Sequence, residues 1–155
     1  MKRDKVIKCL SLDQPWATLM ALGEKKIETR SWATQYRGLL AIHSCKTFKN
    51  EYLGLLNEKP FKMVFDDYGL GFDDLPLGKI LCVVNLNFIW TTSYLKEQGN
   101  VPLLDRYFGD YSDGRYGWVT GGCVPLKEPI PARGYQNLWV PEDDVYQKIM
   151  EQIDV

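Results

Sequence analysis

The sequence predicts an α+β fold in which a small mixed β-barrel carries short helices packed on its outside. Two patterns indicate this class. Apolar segments with strand character recur from residue 6 to residue 139, and short segments of helical periodicity lie between them. The length of 155 residues suits a single domain, residues 1–155, with one buried core.

The N-terminal elements are, in order, a strand over residues 6–12, a helix over 15–22, and strands over 26–32 and 38–44. Pro15 marks the first turn of the helix, and Gly23 suits the left-handed residue that ends it. The second strand alternates, so that one face carries polar and aromatic side chains only: Lys26, Glu28, Arg30 and Trp32.

The later part of the chain predicts a longer series of elements. These are a helix over 47–58, a loop over 66–77, a strand over 78–90, a helix over 92–98, a loop over 105–114, strands over 115–124 and 134–139, and a last helix that starts at Pro141.

Composition excludes several classes of protein. No apolar stretch is long enough to span a bilayer and the N-terminus lacks a signal core, so we expect a cytoplasmic protein with no membrane partner. The four cysteines are widely spaced within apolar segments, which is typical of core residues in a reducing compartment. With one histidine and no Cys-x-x-Cys pair, we predict no metal and no cofactor.

Charge is distributed unevenly along the chain. The net charge is −1, but residues 1–50 carry +6 and residues 51–155 carry −7. A basic face on an acidic body suits a short anionic ligand better than long duplex DNA. The alternative is that folding interleaves the two charges.

The candidate binding residues cluster between residues 14 and 37. Arg30 and Arg37 flank Trp32, and arginine beside an aromatic ring is suited to gripping a phosphate while a base stacks. Arg30 could equally close the barrel by pairing with Glu28. Gln14 lies at a helix N-terminus, where its amide could contact a base edge or cap the helix.

Lys25 and Glu28 are the two candidates for catalysis. They lie three residues apart and could reach one cleft, where a lysine held by a carboxylate is an anion anchor and a poor nucleophile. A surface salt bridge is the alternative. His43 has no acid or nucleophile beside it in the sequence and is interpreted as a residue of the barrel wall.

The chain resembles a known family at several motifs. Ser11-Leu12-x-Gln14-Pro15-Trp16-Ala17, Gly23-x-Lys25-x-x-Glu28-x-Arg30-Ser31-Trp32, Arg37-Gly38 and later blocks between residues 77 and 139 resemble the ASCH (activating signal cointegrator homology) family. That resemblance implies a PUA-like barrel, similar to the PUA RNA-binding module. It also implies that Arg115 lies near the same cleft.

The leading hypothesis is a module that binds nucleic acid, RNA in preference, or a modified nucleotide, in a basic and aromatic cleft between the first helix and the barrel. Its ligand contacts would be Gln14, Lys25, Glu28, Arg30, Trp32, Arg37 and Arg115. One alternative is a small hydrolase, either a ribonuclease or an amidohydrolase similar to the family branch that acts on N4-acylcytidine, with Lys25 in the cleft. In that branch a threonine occupies the position of Glu28. A protein-interaction module is the second alternative.

Overall fold

A mixed five-stranded sheet forms the frame of the domain. The computed structural model describes residues 3–153. The strands are β1 (Ile7–Leu12), β2 (Ile27–Arg30), β3 (Gly38–Ser44), β4 (Lys79–Thr91) and β5 (Tyr116–Pro131). Their order across the sheet is β1-β3-β4-β5-β2, with β1 parallel to β3 and every other pair antiparallel. The sheet curls into a partial barrel, so the predicted α+β, barrel-like fold is confirmed.

The described residues also form five α-helices: α1 (Trp16–Ala21), α2 (Lys59–Asp67), α3 (Thr92–Gln98), α4 (Leu103–Phe108) and α5 (Asp143–Ile153). Two 3-10 helices, Asn50–Asn57 and Phe72–Asp74, lie in the connection between β3 and β4. No helix within residues 3–153 is long and apolar enough to cross a membrane.

The core lies on both faces of the sheet. On one face, Val145, Ile149 and Ile153 of α5 pack against strand residues such as Cys9 and Ile80. On the other, Ala17 and Met20 of α1 pack with Leu10, Ile42 and Trp118. Burial of these apolar side chains fixes the strand ends, and with them the loops that carry the site.

Three predicted elements differ from the observed ones. Residues 47–58 form a 3-10 helix over Asn50–Asn57 because Gly54 weakens α-helix formation in the middle of the segment. The predicted loop 66–77 contains the end of α2, a helix whose buried Phe61, Val64 and Phe65 follow helical spacing. The predicted loop 105–114 contains most of α4.

The last two predicted strands also differ. β5 continues to Pro131, past Val124, because register shifts against β4 accommodate its prolines. Residues 134–139 do not form a strand, and only Trp139 pairs with the sheet, through two backbone hydrogen bonds to Cys9.

Candidate nucleic-acid interface

An open cleft of about 1490 Å³ lies where the ends of β1, β2, β3 and β5 meet. The loop after β3 contributes one part of the lining, and the segment after β5 contributes a second wall. Its polar and aromatic lining residues are Ser11, Asp13, Arg30, Trp32, His43, Lys46, Thr47, Lys49, Arg133, Tyr135, Gln136 and Asn137. No residue of α1 lines this cleft, so its position differs from the predicted one between the first helix and the barrel.

Four cations line the larger cleft: Arg30, Lys46, Lys49 and Arg133. Among residues 3–153, Asp13 is the only carboxylate that lines it, and this carboxylate pairs with Lys49 at 3.1 Å. Lys46 and Arg133 are exposed and have no ion-pair partner in the described part of the chain. The cleft therefore carries a local excess of positive charge on a protein of net charge −1.

Two aromatic rings lie beside these cations. Trp32 is half-buried, packs edge-on against Trp118 at 4.8 Å between ring centroids, and lies 5.8 Å from the guanidinium of Arg30. Tyr135 is exposed, and the guanidinium of Arg133 lies 5.2 Å from its ring centroid. Each ring thus has a cation over it, and the cleft combines the two kinds of side chain that stack bases and neutralise phosphates.

The floor of the larger cleft is a hydrogen-bonded pair, Ser11 and His43. The hydroxyl of Ser11 lies 2.9 Å from Nδ1 of His43, and Nε2 lies 2.7 Å from the carbonyl of Ala132. Gly134 packs so closely that a Cβ atom there would lie 2.6 Å from the side chains of Ser11 and His43. Only glycine therefore lets the segment after β5 lie against this pair. Burial lowers the pKa of His43, which keeps the imidazole neutral near pH 7.

The cysteine at the edge of the larger cleft is not an activated nucleophile. Burial, together with the carboxylate of Asp13, raises the pKa of Cys45 to about 11. The side chain is therefore a neutral thiol at neutral pH.

A second cleft of about 420 Å³ shares Asp13 and Arg30 with the larger one. Trp16, Tyr52, Phe61, Tyr107 and Phe108 give it aromatic walls, and Glu28, Glu58, Asp110 and Arg115 give it charged groups. Its volume falls within the range of small-molecule sites. The first helix contributes to this second cleft through Trp16.

Lys25, Glu28 and Arg30 form one ion-pair network beneath the two clefts. Glu28 accepts Nζ of Lys25 at 3.3 Å on one oxygen and the guanidinium of Arg30 at 3.1 Å on the other. Lys25 also donates to the carbonyl of Ile27, and its side chain is 0% exposed. Lys25 lines neither cleft, whereas Glu28 lines the second cleft and Arg30 lines both.

Arg30 also holds the two edge strands together. Its guanidinium donates to the carbonyl of Ser11 on β1 at 3.4 Å, while Arg30 itself ends β2. The start of β2 is fixed by Asp105, whose carboxylate accepts the backbone N–H groups of Lys26 and Ile27. Burial raises the pKa of Asp105 from its ordinary value, and those two donors oppose the rise.

The remaining predicted site residues lie apart from the larger cleft. Gln14 is fully buried, accepts the N–H of Thr18 and donates to the carbonyl of Pro76, so its amide caps α1. Arg37 is exposed, lines neither cleft, and donates to two carbonyls of its own loop. Arg115 lines the second cleft and donates to the carbonyl of Thr29 at 3.1 Å.

Several residues that line the larger cleft are not among those predicted from the sequence: Lys46, Thr47, Lys49, Arg133, Tyr135, Gln136 and Asn137. The excess of cations in residues 1–50 signals the two lysines. The segment after β5 has one local signal in the sequence, the pair Arg133 and Tyr135. This pair lies between a proline-rich stretch and an apolar stretch. Within residues 3–153, no three His, Cys, Asp or Glu side chains are placed to hold a metal ion.

Comparison with known proteins identifies the family. The model of the ASCH domain matches residues 10–116. The chain belongs to the ASCH domain family. This match confirms the resemblance seen at the motifs in the first third of the chain. The matched residues include the parts of β1, β2 and β3 that line the two clefts.

The relatives share both sequence and fold. Human activating signal cointegrator 1 is 56% identical over 141 residues, which make up 90% of this chain and 23% of that protein. The mouse protein of the same name is 56% identical over 139 residues, with the same shares. The chain thus spans about a quarter of the length of these curated relatives.

Solved ASCH structures from Zymomonas mobilis show the same fold. One matches with a TM-score of 0.57 at 13% identity and covers 96% of both chains. A single-substitution mutant of it matches with a TM-score of 0.58 at 13% identity, covering 95% of this chain and 98% of its own. At this identity the likeness extends to the fold alone.

Proposed function

We propose that this ASCH domain binds single-stranded nucleic acid, with RNA preferred, in the larger cleft. One observation carries the proposal: four cations and two aromatic rings line an open cleft whose single carboxylate is paired. Lysine and arginine neutralise phosphates and release counterions, and aromatic faces stack bases of any sequence. The volume of about 1490 Å³ exceeds that of a typical small-molecule site, which favours several nucleotides over one.

Each lining group has a role in this binding mode. Lys46, Lys49 and Arg133 contact phosphates, and Trp32 and Tyr135 stack bases. Arg30 lies at the boundary between the clefts, where it contacts the nucleotide next to the second cleft. Gln136 and Asn137 supply amide donors and acceptors at the rim.

The second cleft suits one base or modified nucleoside of the bound strand. Its aromatic walls offer surfaces on which a base can stack, and Glu28 and Arg115 offer an acceptor and a donor to a base edge. Lys25 and Gln14 make no ligand contact in this proposal, because their side chains are buried against Glu28 and α1. Arg37 contributes only to long-range attraction of phosphate.

Hydrolysis is not part of the proposal. The Nζ of Lys25 is bonded to Ile27 and Glu28 and is closed to both clefts, so it cannot reach a substrate without breaking that network. We also propose the cytoplasmic location expected from the sequence, a reducing compartment in which cysteines such as these four stay free thiols.

The salt dependence of RNA affinity tests the proposal. Fluorescence anisotropy with a labelled single-stranded RNA of about eight nucleotides should give a slope of log K against log salt of about −2 to −3, as expected for three or four phosphate contacts. Lys46→Gln and Arg133→Gln should each reduce the slope by about 0.7. Lys62→Gln is the matched control, because Lys62 is an exposed cation on α2 that lines neither cleft.

Stacking and strand preference complete the test. Trp32→Ala should weaken RNA binding by about 1–3 kcal/mol, the usual value of one stacked base. The DNA strand of the same sequence should bind more weakly than the RNA. A flat salt response, or loss of affinity in Lys62→Gln equal to that in Lys46→Gln, would refute the proposed cleft.

A further inference from the structure

The second half of β4 is an open edge of the sheet. Pairing of β4 with β3 ends at Leu86, which lies opposite Gly38. Pairing with β5 continues on the other side, from Phe88 to Thr91. Among residues 3–153 no other segment is hydrogen bonded to the β3 side of residues 88–91. Alternate backbone N–H and C=O groups there therefore have no strand partner.

This edge lacks two of the features that usually protect one. Natural edges carry charged side chains, prolines or bulges that prevent pairing with another chain. Residues 87–91 are Asn-Phe-Ile-Trp-Thr, with neither a charge nor a proline. A bulge at Asn87, between the pairs Leu86–Thr120 and Phe88–Val119, precedes the open residues 88–91. An uncharged edge rich in residues of high β-propensity is therefore ready to accept another strand.

Three exposed aromatic rings lie along the same edge. Phe88 and Trp90 alternate on one face of β4, with ring centroids 5.8 Å apart and planes inclined by 16°. Trp90 also contacts Tyr94 of α3, at 5.0 Å between centroids. The three residues are 53%, 41% and 41% exposed, and we call this surface the aromatic ladder.

The aromatic ladder rests on a rigid support. Leu95 of α3 packs into the space left by the missing Cβ of Gly117, and Gly117 is the β5 partner of Trp90. Thr91 caps α3 by accepting the N–H of Tyr94 at 3.1 Å. The backbone that carries the rings is therefore held by core packing and by a helix cap, which lowers the entropic cost of ordering it on binding.

We propose that the edge of β4 and the aromatic ladder form a docking site for an extended peptide segment of a partner protein, which adds as a strand beside residues 87–91. Only another polypeptide backbone matches a row of alternating N–H and C=O groups, so the occupant is a peptide strand. Its side chains at alternate positions contact Phe88 and Trp90 and are aliphatic, β-branched or aromatic. Residues 87–91 contain no cation, so phosphate contacts do not contribute at this edge.

A blocked synthetic peptide, Lys-Thr-Val-Thr-Val-Thr-Lys, is a direct probe of the edge. Titrated into isotopically labelled protein up to about 1 mM, well within the range of weak single-strand peptide binding, it should shift the backbone amides of residues 86–94 and the indole N–H of Trp90. The control peptide has the same sequence with alternate amides N-methylated, which removes the hydrogen bonds of one edge and retains the side chains. It should bind at least about fivefold more weakly.

Two exposed-residue variants separate this site from the rest of the surface. Trp90→Ser should weaken binding of the probe at least about fivefold, whereas Tyr68→Ser, at a similarly exposed ring 45% accessible and distant in sequence, should not. RNA affinity at the larger cleft should be the same in both variants, so the two proposals fail or succeed separately.

Four outcomes would overturn the docking site. The first is the absence of amide shifts in residues 86–94 at the highest peptide concentration. The second is equal binding of the N-methylated peptide. The third is a concentration-dependent dimer of the free protein that Trp90→Ser abolishes, since the occupant would then be a second copy of the chain. The last is displacement of the probe by single-stranded RNA, which would make the edge part of the nucleic-acid interface.

Discussion

Replacement of Lys25 by methionine should destabilise the domain while leaving RNA affinity unchanged. Methionine keeps most of the length and the apolar character of the lysine stem but carries no charge. In the native protein the Lys25 ammonium lies 3.3 Å from one carboxylate oxygen of Glu28 and donates to the carbonyl of Ile27. With a side chain that is 0% exposed, no water replaces either contact without rearrangement.

The size of the effect follows from what remains around Glu28. Removing one partner of a buried ion pair costs about 3–5 kcal/mol, because the other charge stays buried and unpaired. Here Arg30 still lies 3.1 Å from the second oxygen of Glu28, whose side chain is 11% exposed. The loss in the free energy of unfolding should therefore lie near or below the low end of that range, at about 2–3 kcal/mol. That is a large share of the roughly 5–15 kcal/mol by which a domain is stable.

Urea denaturation measures this loss, with an unchanged m value as the condition for a two-state comparison. Lys26→Met is the matched control, because Lys26 is the adjacent lysine and is exposed; it should change the free energy of unfolding by less than about 0.5 kcal/mol. A double-mutant cycle of Lys25→Met with Glu28→Gln isolates the pairwise energy.

Two results would refute the argument. A loss below about 1 kcal/mol for Lys25→Met would mean that the buried pair contributes little beyond its desolvation. Loss of RNA affinity at unchanged stability would make Lys25 a ligand contact, as the sequence interpretation has it, and would require the network to open on binding.

Two further predictions concern buried polar groups. Burial lowers the folded-state pKa of His43 below its ordinary 6.5, so the unfolded chain binds more protons than the folded protein below that pH. The contribution of His43 to the free energy of unfolding should therefore be full above about pH 6.5 and decrease as the pH falls. Urea unfolding of His43→Gln should lack this dependence of stability on pH. Gln14→Ala leaves the N–H of Thr18 and the carbonyl of Pro76 unpaired, at about 1–3 kcal/mol for each group, and should lower the melting temperature without changing RNA affinity. Weaker RNA binding by stably folded Gln14→Ala would instead support contact of the Gln14 amide with the ligand.

Local sequence patterns predict the elements of this fold well where one face of an element is apolar. The strand over 38–44 and the helix over 92–98 have the predicted bounds, since each is delimited by strong turn or capping signals. The signal for α2 is also present, in Phe61, Val64 and Phe65, but the neighbouring aspartates and glycines of the following loop obscure it.

The site is predicted less well, because its geometry depends on contacts between distant segments. Arg30 and Trp32 lie in the larger cleft as the aromatic and basic motif suggests. Lys46 and Arg133 line the same cleft because β4 pairs with both β3 and β5 and because His43 contacts the carbonyl of Ala132. Loop cations have no periodicity, so no local pattern signals their convergence.

Burial of the polar residues Gln14 and Lys25 could not be inferred from their residue types. A glutamine or lysine is ordinarily exposed, and burial becomes favourable only when partners satisfy the polar group. Those partners are backbone carbonyls and a carboxylate, and only the folded chain brings Pro76 to Gln14.

The pairing of β2 with β5 determines where the chain can be truncated without unfolding the domain, and it also affects the folding rate. β2 is a four-residue strand whose only strand partner within residues 3–153 is β5, so Glu28 lies beside Trp118 although most of the chain separates them. Such long-range pairs must close a large loop before they gain any contact, which makes folding slow relative to helical domains of the same size. A truncation at residue 116, where the family match ends, would remove the partner of β2 and release the strand that carries Arg30. The minimal folding unit is therefore longer than the segment by which the family is detected.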